Sequence, residues 1–313
     1  MRRVTLIAII FSSLVFGTNF IFTKQLLPPF DAFGFLFFRS VIGVLSLLAV
    51  FTIRRGKLAE FKRLFAREFK RLFVLGLVFY FGCNFIVYFA VPLTLASHVT
   101  ILQQFGLVSI FLVDVLVMKK IPPRLLWIAA ALNTIGMLCI IFPLDLSGNP
   151  LLLGDLLAIL SVLASTGFSF KLKSASECIP PEYVSLALAL FTIVGALPVM
   201  LVQLAFGWND FVVVAVLDPT QWVFLIWLGI GISGIGYWLH TTAYADPEIT
   251  PEHMGIISNL TIVTGVAISV LFFGEILTWW NWAGIGLILA SVYLSQVKER
   301  KKAMIKNNHN FKD

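Results

Sequence analysis

Residues 76–98 read GLVFYFGCNFIVYFAVPLTLASH and residues 231–253 read GISGIGYWLHTTAYADPEITPEH, a displacement of 155 positions without a gap. Gly76 meets Gly231, Ala90 meets Ala245, Pro92 meets Pro247 and His98 meets His253, and further along Trp127 meets Trp282. Upstream, at a displacement of 152, Pro28-Pro29 meets Pro180-Pro181 and Gly43 meets Gly195. Apolar segments match one another by chance, so the weight rests on the shared proline, histidine and tryptophan landmarks. The expected organisation is one unit over 1–145, a second over 146–297, and a basic tail over 298–313.

Outward from the repeat, each unit is a series of apolar blocks about twenty residues long, the length that crosses a hydrocarbon layer roughly 30 Å thick. The spans fall at 4–23, 32–53, 72–91, 97–118, 125–143, 152–170, 183–206, 221–243, 254–273 and 278–296. Each is expected to be a helix, because in lipid a backbone must satisfy its own polar groups. Composition agrees: 59% of the 313 residues are hydrophobic and 12% charged, against about 45–50% and about 25% in soluble domains. The first span, Val4 to Thr23, is longer than a signal-peptide core and lacks a small-x-small cleavage site, so it is expected to be retained. The predicted fold is an all-α membrane protein of ten transmembrane helices.

Charge placement predicts orientation. With the N-terminus inside, the inner segments carry 21 of the 23 Lys and Arg, leaving Lys24 at an outer helix end and Arg39 inside the second span. Both termini are therefore expected in the cytoplasm of a cell with an inner or plasma membrane of this type. The net charge of +7 reads as a topology signal rather than a nucleic-acid footprint. Five spans per unit is an odd number, so the second unit enters the membrane from the opposite side. Inverted repeats suit alternating access, with a solute held near the midplane. The segment 56–71 places Leu58, Phe61, Leu64, Phe65 and Phe69 at steps of three or four among Lys and Arg. It reads as an amphipathic helix on the anionic inner leaflet.

Candidate site residues are the polar and aromatic groups inside the spans. Arg39 lies about eight residues into an apolar helix, where a cation costs roughly 2.5–3.5 kcal/mol. It is either a counter-charge for a substrate carboxylate or an Arg paired with Asp31, and its repeat counterpart is Phe191. Asn19, Asn84, Gln103, Gln104 and Asn259 sit at mid-span depth, where they line a wet cavity or bond across helices. Tyr80 and Trp238 belong either to the interfacial aromatic belt or to the site, where the deeper Trp238 would stack on a flat solute. The substrate-binding set is thus Arg39, Asn19, Asn84, Gln103, Tyr80, Trp238 and Asn259. His98 and His253 lie at span ends, where capping competes with proton transfer, and Asp114 is expected to pair with Lys119 or Lys120 rather than to relay protons.

Other classes find little support. There is no His-Glu-x-x-His run, nucleophile elbow or pair of mid-membrane aspartates, as a membrane enzyme would need. Three cysteines, Cys83, Cys139 and Cys178, have neither disulfide nor metal spacing. No metal or cofactor is expected. A scaffold or receptor would carry sizeable loops, which this chain lacks, and no phosphate-cradling loop accompanies the spans.

Over residues 4–297 the chain resembles the drug/metabolite transporter superfamily, in its EamA-type ten-helix members. Phe16-Gly17-Thr18-Asn19-Phe20 closing on Lys24, the Phe38-Arg39-Ser40 run, and Phe272-Phe273-Gly274-Glu275-Ile276-Leu277-Thr278 followed by Trp282-Ala283-Gly284 carry the likeness. Lys120 stands where the first unit usually has Glu, and the proline usual in the fourth and ninth spans is absent near Phe105-Gly106 and Leu260-Thr261. The resemblance implies export or import of small metabolites such as amino acids, by a protein working as a monomer or homodimer. Glu275 is expected to cap the tenth helix beside Thr278. Nucleotide-sugar and drug carriers share this fold; a phosphate-rich cargo would need several deep cations, whereas only Arg39 is deep.

Overall fold

The computed structural model describes residues 3–26, 30–53, 58–90, 93, 105–141, 152–273 and 278–309. Among them every regular element is helical. The first unit contains α1 (Arg3–Gly17), α2 (Asn19–Leu26), α3 (Ala32–Ile53), α4 (Leu58–Arg67), α5 (Phe69–Phe73), a π-helical segment π1 (Val74–Phe81), α6 (Gly82–Ala90), α7 (Gly106–Leu116) and α8 (Arg124–Ile141). The second contains α9 (Leu152–Ser176), α10 (Pro181–Ala205), α11 (Asp210–Ala215), α12 (Pro219–Trp227), π2 (Leu228–Gly236), α13 (Tyr237–Tyr244), α14 (Pro251–Ser258), α15 (Leu260–Phe273) and α16 (Trp279–His309). Five stretches, Phe33–Thr52, Phe69–Val87, Leu156–Ser176, Pro181–Ala205 and Pro219–Tyr244, are long and apolar enough to cross a membrane. Shorter apolar helices, among them Val4–Gly17, Gly106–Leu116 and Arg124–Cys139, fit the remaining positions of a ten-segment arrangement.

The wide π-helical turns fall at matched places. Moving Val74–Phe81 by 155 positions lands on 229–236, within Leu228–Gly236. Such segments interrupt the regular ladder and cluster at functional sites. Packing repeats the same symmetry. α3 packs on its counterpart α10, and α8 on its counterpart α16. The other contacts come in exchanged pairs: α3 with π2 answers α10 with π1, and α1 with α13 and α15 answers α9 with α6 and α7. Each unit thus buries its helices against the other. That exchange mixes residues of both halves in the main hydrophobic clusters.

Burial is turned inside out relative to a soluble protein. Val4, Ile7, Phe11 and Leu14 form an exposed stripe on α1, and Leu153, Leu156, Leu160 and Leu163 form one on α9. Meanwhile Ser12, Ser13, Arg39, Asn133, Ser161, Thr192, Thr241 and Ser291 are buried. Apolar stripes at helical spacing facing outward are what lipid stabilises.

The two ends of the helices are tied differently. At one end Thr5 Oγ1 donates to Asp246 Oδ2 at 2.6 Å, Lys173 Nζ donates to the carbonyls of Tyr244 and Asp246, and Arg71 reaches Ser174. These are segments that charge counting places inside, and we call this the basic end. At the opposite end the Asp210 carboxylate accepts from the Asp31 N–H at 3.2 Å and from Trp208 Nε1 at 3.0 Å. Asp31 is spent locally, its Oδ2 accepting the Phe33 N–H at 2.9 Å as an N-terminal cap of α3. The alternative of an Asp31–Arg39 pair therefore does not form.

The amphipathic segment is helical, as α4 and α5, but much of its apolar face rests on protein. Phe61 packs against Tyr183, and Phe65, Phe69 and Phe73 surround Phe191, with Phe65 stacked at 5.6 Å. Burial of aromatic rings on α10 competes successfully with the leaflet for this face.

Candidate substrate site

Arg39 decides where to look. α3 approaches π2 closely because both carry glycine at the crossing: a Cβ on Gly43 would stand 2.7 Å from Ser233 Cβ, and one on Gly229 would stand 2.5 Å from Ile42 Cβ. The close approach sets Arg39 Nε 2.9 Å from Ser233 Oγ, to which it donates. A second bond, Arg39 Nη1 to Asn19 Oδ1 at 3.0 Å, comes from the start of α2. The break at Thr18 between α1 and α2 is held by the Thr18 N–H on the Val15 carbonyl and by Trp227 Nε1 on Thr18 Oγ1. Phe35, one turn earlier on α3, places its ring centroid 5.6 Å from the guanidinium.

Arg39 is 4% exposed, and the ion pairs formed among the described residues, Arg67–Glu68 and Lys173–Glu177, do not involve it. A guanidinium has five N–H donors, of which these neutral partners take two. A buried cation with neutral partners has donors to spare for a further acceptor. Aromatic groups stand beside it. Tyr237 lies within electrostatic reach of Arg39 and packs edge-on against Tyr80. Their rings are 5.0 Å apart, and the series continues from Tyr80 to Phe168 at 5.3 Å and from Tyr237 to Phe16 at 5.2 Å. His240 closes it, 5.5 Å from Phe16, with Nδ1 buried and without a hydrogen-bond partner.

Of the residues singled out from sequence, Arg39, Asn19 and Tyr80 gather here. Asn84 lies one turn beyond Tyr80 and spends its amide on that residue's carbonyl at 2.7 Å. Asn259 is placed elsewhere, bonded to Asn133 and Met137, while Asn133 also donates to Ser291 and the Ile256 carbonyl. That knot ties α8, α14 and α16 together. Trp238 packs on the edge of the main core, and its carbonyl accepts the Thr241 and Thr242 hydroxyls. Gln103, Gln104, His98 and Glu275 lie outside the described residues. His253 Nδ1 is 2.7 Å from the Thr250 hydroxyl at the start of α14.

Two neighbours went unread in the sequence. Ser233 is the only polar residue in Leu228–Gly236, a run with four glycines. His240 is a titratable side chain inside an apolar span. Both signals were present, one hidden by glycine and the other by the more obvious His98–His253 match.

The neighbouring opposite end adds one electrostatic feature. Asp210 is 2% exposed, and its burial, with Asp31 nearby, pushes its carboxyl above the usual range, against the bonds from Trp208 and the Asp31 N–H.

Comparison with known proteins agrees with this architecture. One solved crystal structure superposes with a TM-score of 0.78, covering 95% of this chain and 99% of its own, at 16% sequence identity. At that identity the likeness shows the fold. No curated protein matches. A family model for the EamA-like transporter family matches twice, over residues 3–142 and 152–296. With nearly the whole helical chain matched as two copies of one unit, the protein belongs to the EamA-like transporter family, membrane transporters of small molecules.

Proposed function

We propose that this chain is a secondary carrier that moves a small organic carboxylate, an amino acid in the simplest case, by alternating access between its two halves. The observation that carries the reading is Arg39, buried, bonded among the described residues only to the neutral Asn19 and Ser233, and flanked by the Tyr80–Tyr237 pair. A carboxylate supplies the missing counter-charge, and the aromatic groups take the remainder of the solute. One deep cation suits one carboxylate better than the phosphates of a nucleotide sugar. We place the carrier in an inner or plasma membrane with both termini inside, on the strength of the basic residues.

Uptake of a panel of labelled amino acids and other small carboxylates into proteoliposomes tests this reading. At least one carboxylate should enter well above the rate of empty vesicles, and its methyl ester should not compete. If no member of the panel moved faster than through empty vesicles, the reading would be lost.

A further inference from the structure

At the basic end, α7 of the first half packs against α14 of the second. Asp114 comes from α7 and Glu252 from α14, 3% and 8% exposed respectively. Their carboxyl groups lie within electrostatic reach of each other. Asp114 Oδ2 and Glu252 Oε2 are fully buried and accept no hydrogen bond. Two buried carboxylates that are both ionised repel each other and leave acceptors without a donor. One proton between the groups removes the repulsion and satisfies an acceptor.

The surroundings supply compensating charge. Lys119 takes a left-handed conformation, φ 52°, and the chain turns so that the Lys120 N–H donates to the Asp114 carbonyl at 2.9 Å. That turn keeps the Lys120 ammonium within electrostatic reach of Asp114. The other titratable groups facing the pair are His253 on α14 and Tyr244 on α13. Lys173 of α9 is occupied by the carbonyls of Tyr244 and Asp246 and by Glu177. From α8, Asn133 donates to the Ile256 carbonyl, and Arg124 begins that helix at the same end. A pair with one proton carries one negative charge, which the Lys120 ammonium offsets; full ionisation adds a second buried negative charge.

We propose that Asp114 and Glu252 form a proton-binding site, holding one proton between them while α7 and α14 are in contact and releasing it when the helices part. The two helices belong to opposite halves, so the movement that exposes a central solute to the basic side also separates the carboxyls. In water both ionise at neutral pH, and one proton leaves; closing the contact takes one back. The coupling of this proton to a solute rests on the carrier reading above, whereas the proton site itself does not.

Difference infrared spectroscopy on the purified full-length protein across a pH titration reads the proton directly. A protonated-carboxyl band should be present at pH 7, disappear at higher pH as a single proton, and be absent in both Asp114→Asn and Glu252→Gln. These variants keep a hydrogen-bonding amide at the contact, so the fold is preserved. A spectrum at pH 7 with no such band, or with a band that survives both substitutions, overturns the site. For the carboxylate that moves in the proteoliposome panel, a pH gradient should raise accumulation several-fold in the wild type and leave Glu252→Gln at a ratio of one. A wild-type ratio of one overturns the coupling. If nothing in the panel moves, it is the carrier reading that has failed, and the infrared band decides the proton site alone.

Discussion

A guanidinium inside hydrocarbon costs roughly 2.5–3.5 kcal/mol even on lenient scales, and Arg39 meets that cost with two neutral hydrogen bonds and the Phe35 ring. Lysine carries the same charge but cannot serve Asn19 and Ser233 with a planar fork while offering further donors. Arg39→Lys should therefore lower carboxylate uptake at least about tenfold, a loss near 1.4 kcal/mol, without lowering yield of folded protein in size-exclusion chromatography. Asp210 provides a pH test at the same scale. Its folded-state carboxyl is raised by burial, so the native protein holds that proton to higher pH than the unfolded chain. Stability from this group is then greatest in acid and falls as pH climbs from the ordinary carboxylate range through the raised value. Asp210→Asn keeps an oxygen for Trp208 and the Asp31 N–H, so its melting temperature should gain on the wild type as pH rises through that window. A difference that is flat with pH would contradict the assignment. Arg39 and Asn19 were legible in sequence because polar groups in apolar spans stand out. Ser233 was not, since it meets Arg39 across 194 positions through a glycine-permitted contact that no local pattern announces.

Elements were legible where periodicity and length act alone. The apolar runs foretold most helices, because each must close its own hydrogen bonds in lipid. The first span differs: expected as one helix over 4–23, it breaks at Thr18 between α1 and α2. Tertiary bonds from Trp227 and Arg39 hold that break, and nothing in its own composition demanded it. The same applies to α4, whose aromatic face found Phe191 and Tyr183 rather than the leaflet alone. Helix contacts across the repeat rest on small residues. A Cβ at Gly136 of α8 would lie 2.8 Å from the Gly284 carbonyl oxygen on α16, with Leu287 and Ile288 at 3.0 Å. Backbone cannot yield as a side chain can, so Gly136→Ala should cost about 1–3 kcal/mol. The measurement is a thermal melt in detergent, where an unchanged midpoint would show that α8 and α16 are not held this closely.

Across the whole molecule, the repeat visible in proline, histidine and tryptophan landmarks reappears as exchanged packing and as two π-helical segments at equivalent positions. The equivalence stops at chemistry: where the first unit has Arg39, the second has Phe191, buried among rings. A pseudosymmetric frame thus carries Arg39 on one half alone, and on the proposed reading that charge orients the carboxylate of the solute. Orientation in the membrane can be checked with Cys178, exposed at the basic end. A membrane-impermeant maleimide should label it in inverted vesicles only. Thr220→Cys in a Cys178→Ser background should label in right-side-out vesicles only, since residue 220 begins α12 at the other end. The reverse pattern would turn the topology over.

Alternating access itself is tested most directly by counterflow. Proteoliposomes are preloaded with the unlabelled carboxylate, and labelled solute is offered outside at low concentration. A carrier that exposes one site to each side in turn should accumulate label transiently several-fold above equilibrium, and Arg39→Lys should abolish the overshoot. Label that only equilibrates, with preloaded and empty-lumen vesicles following the same time course, would contradict a carrier with a central site between its halves.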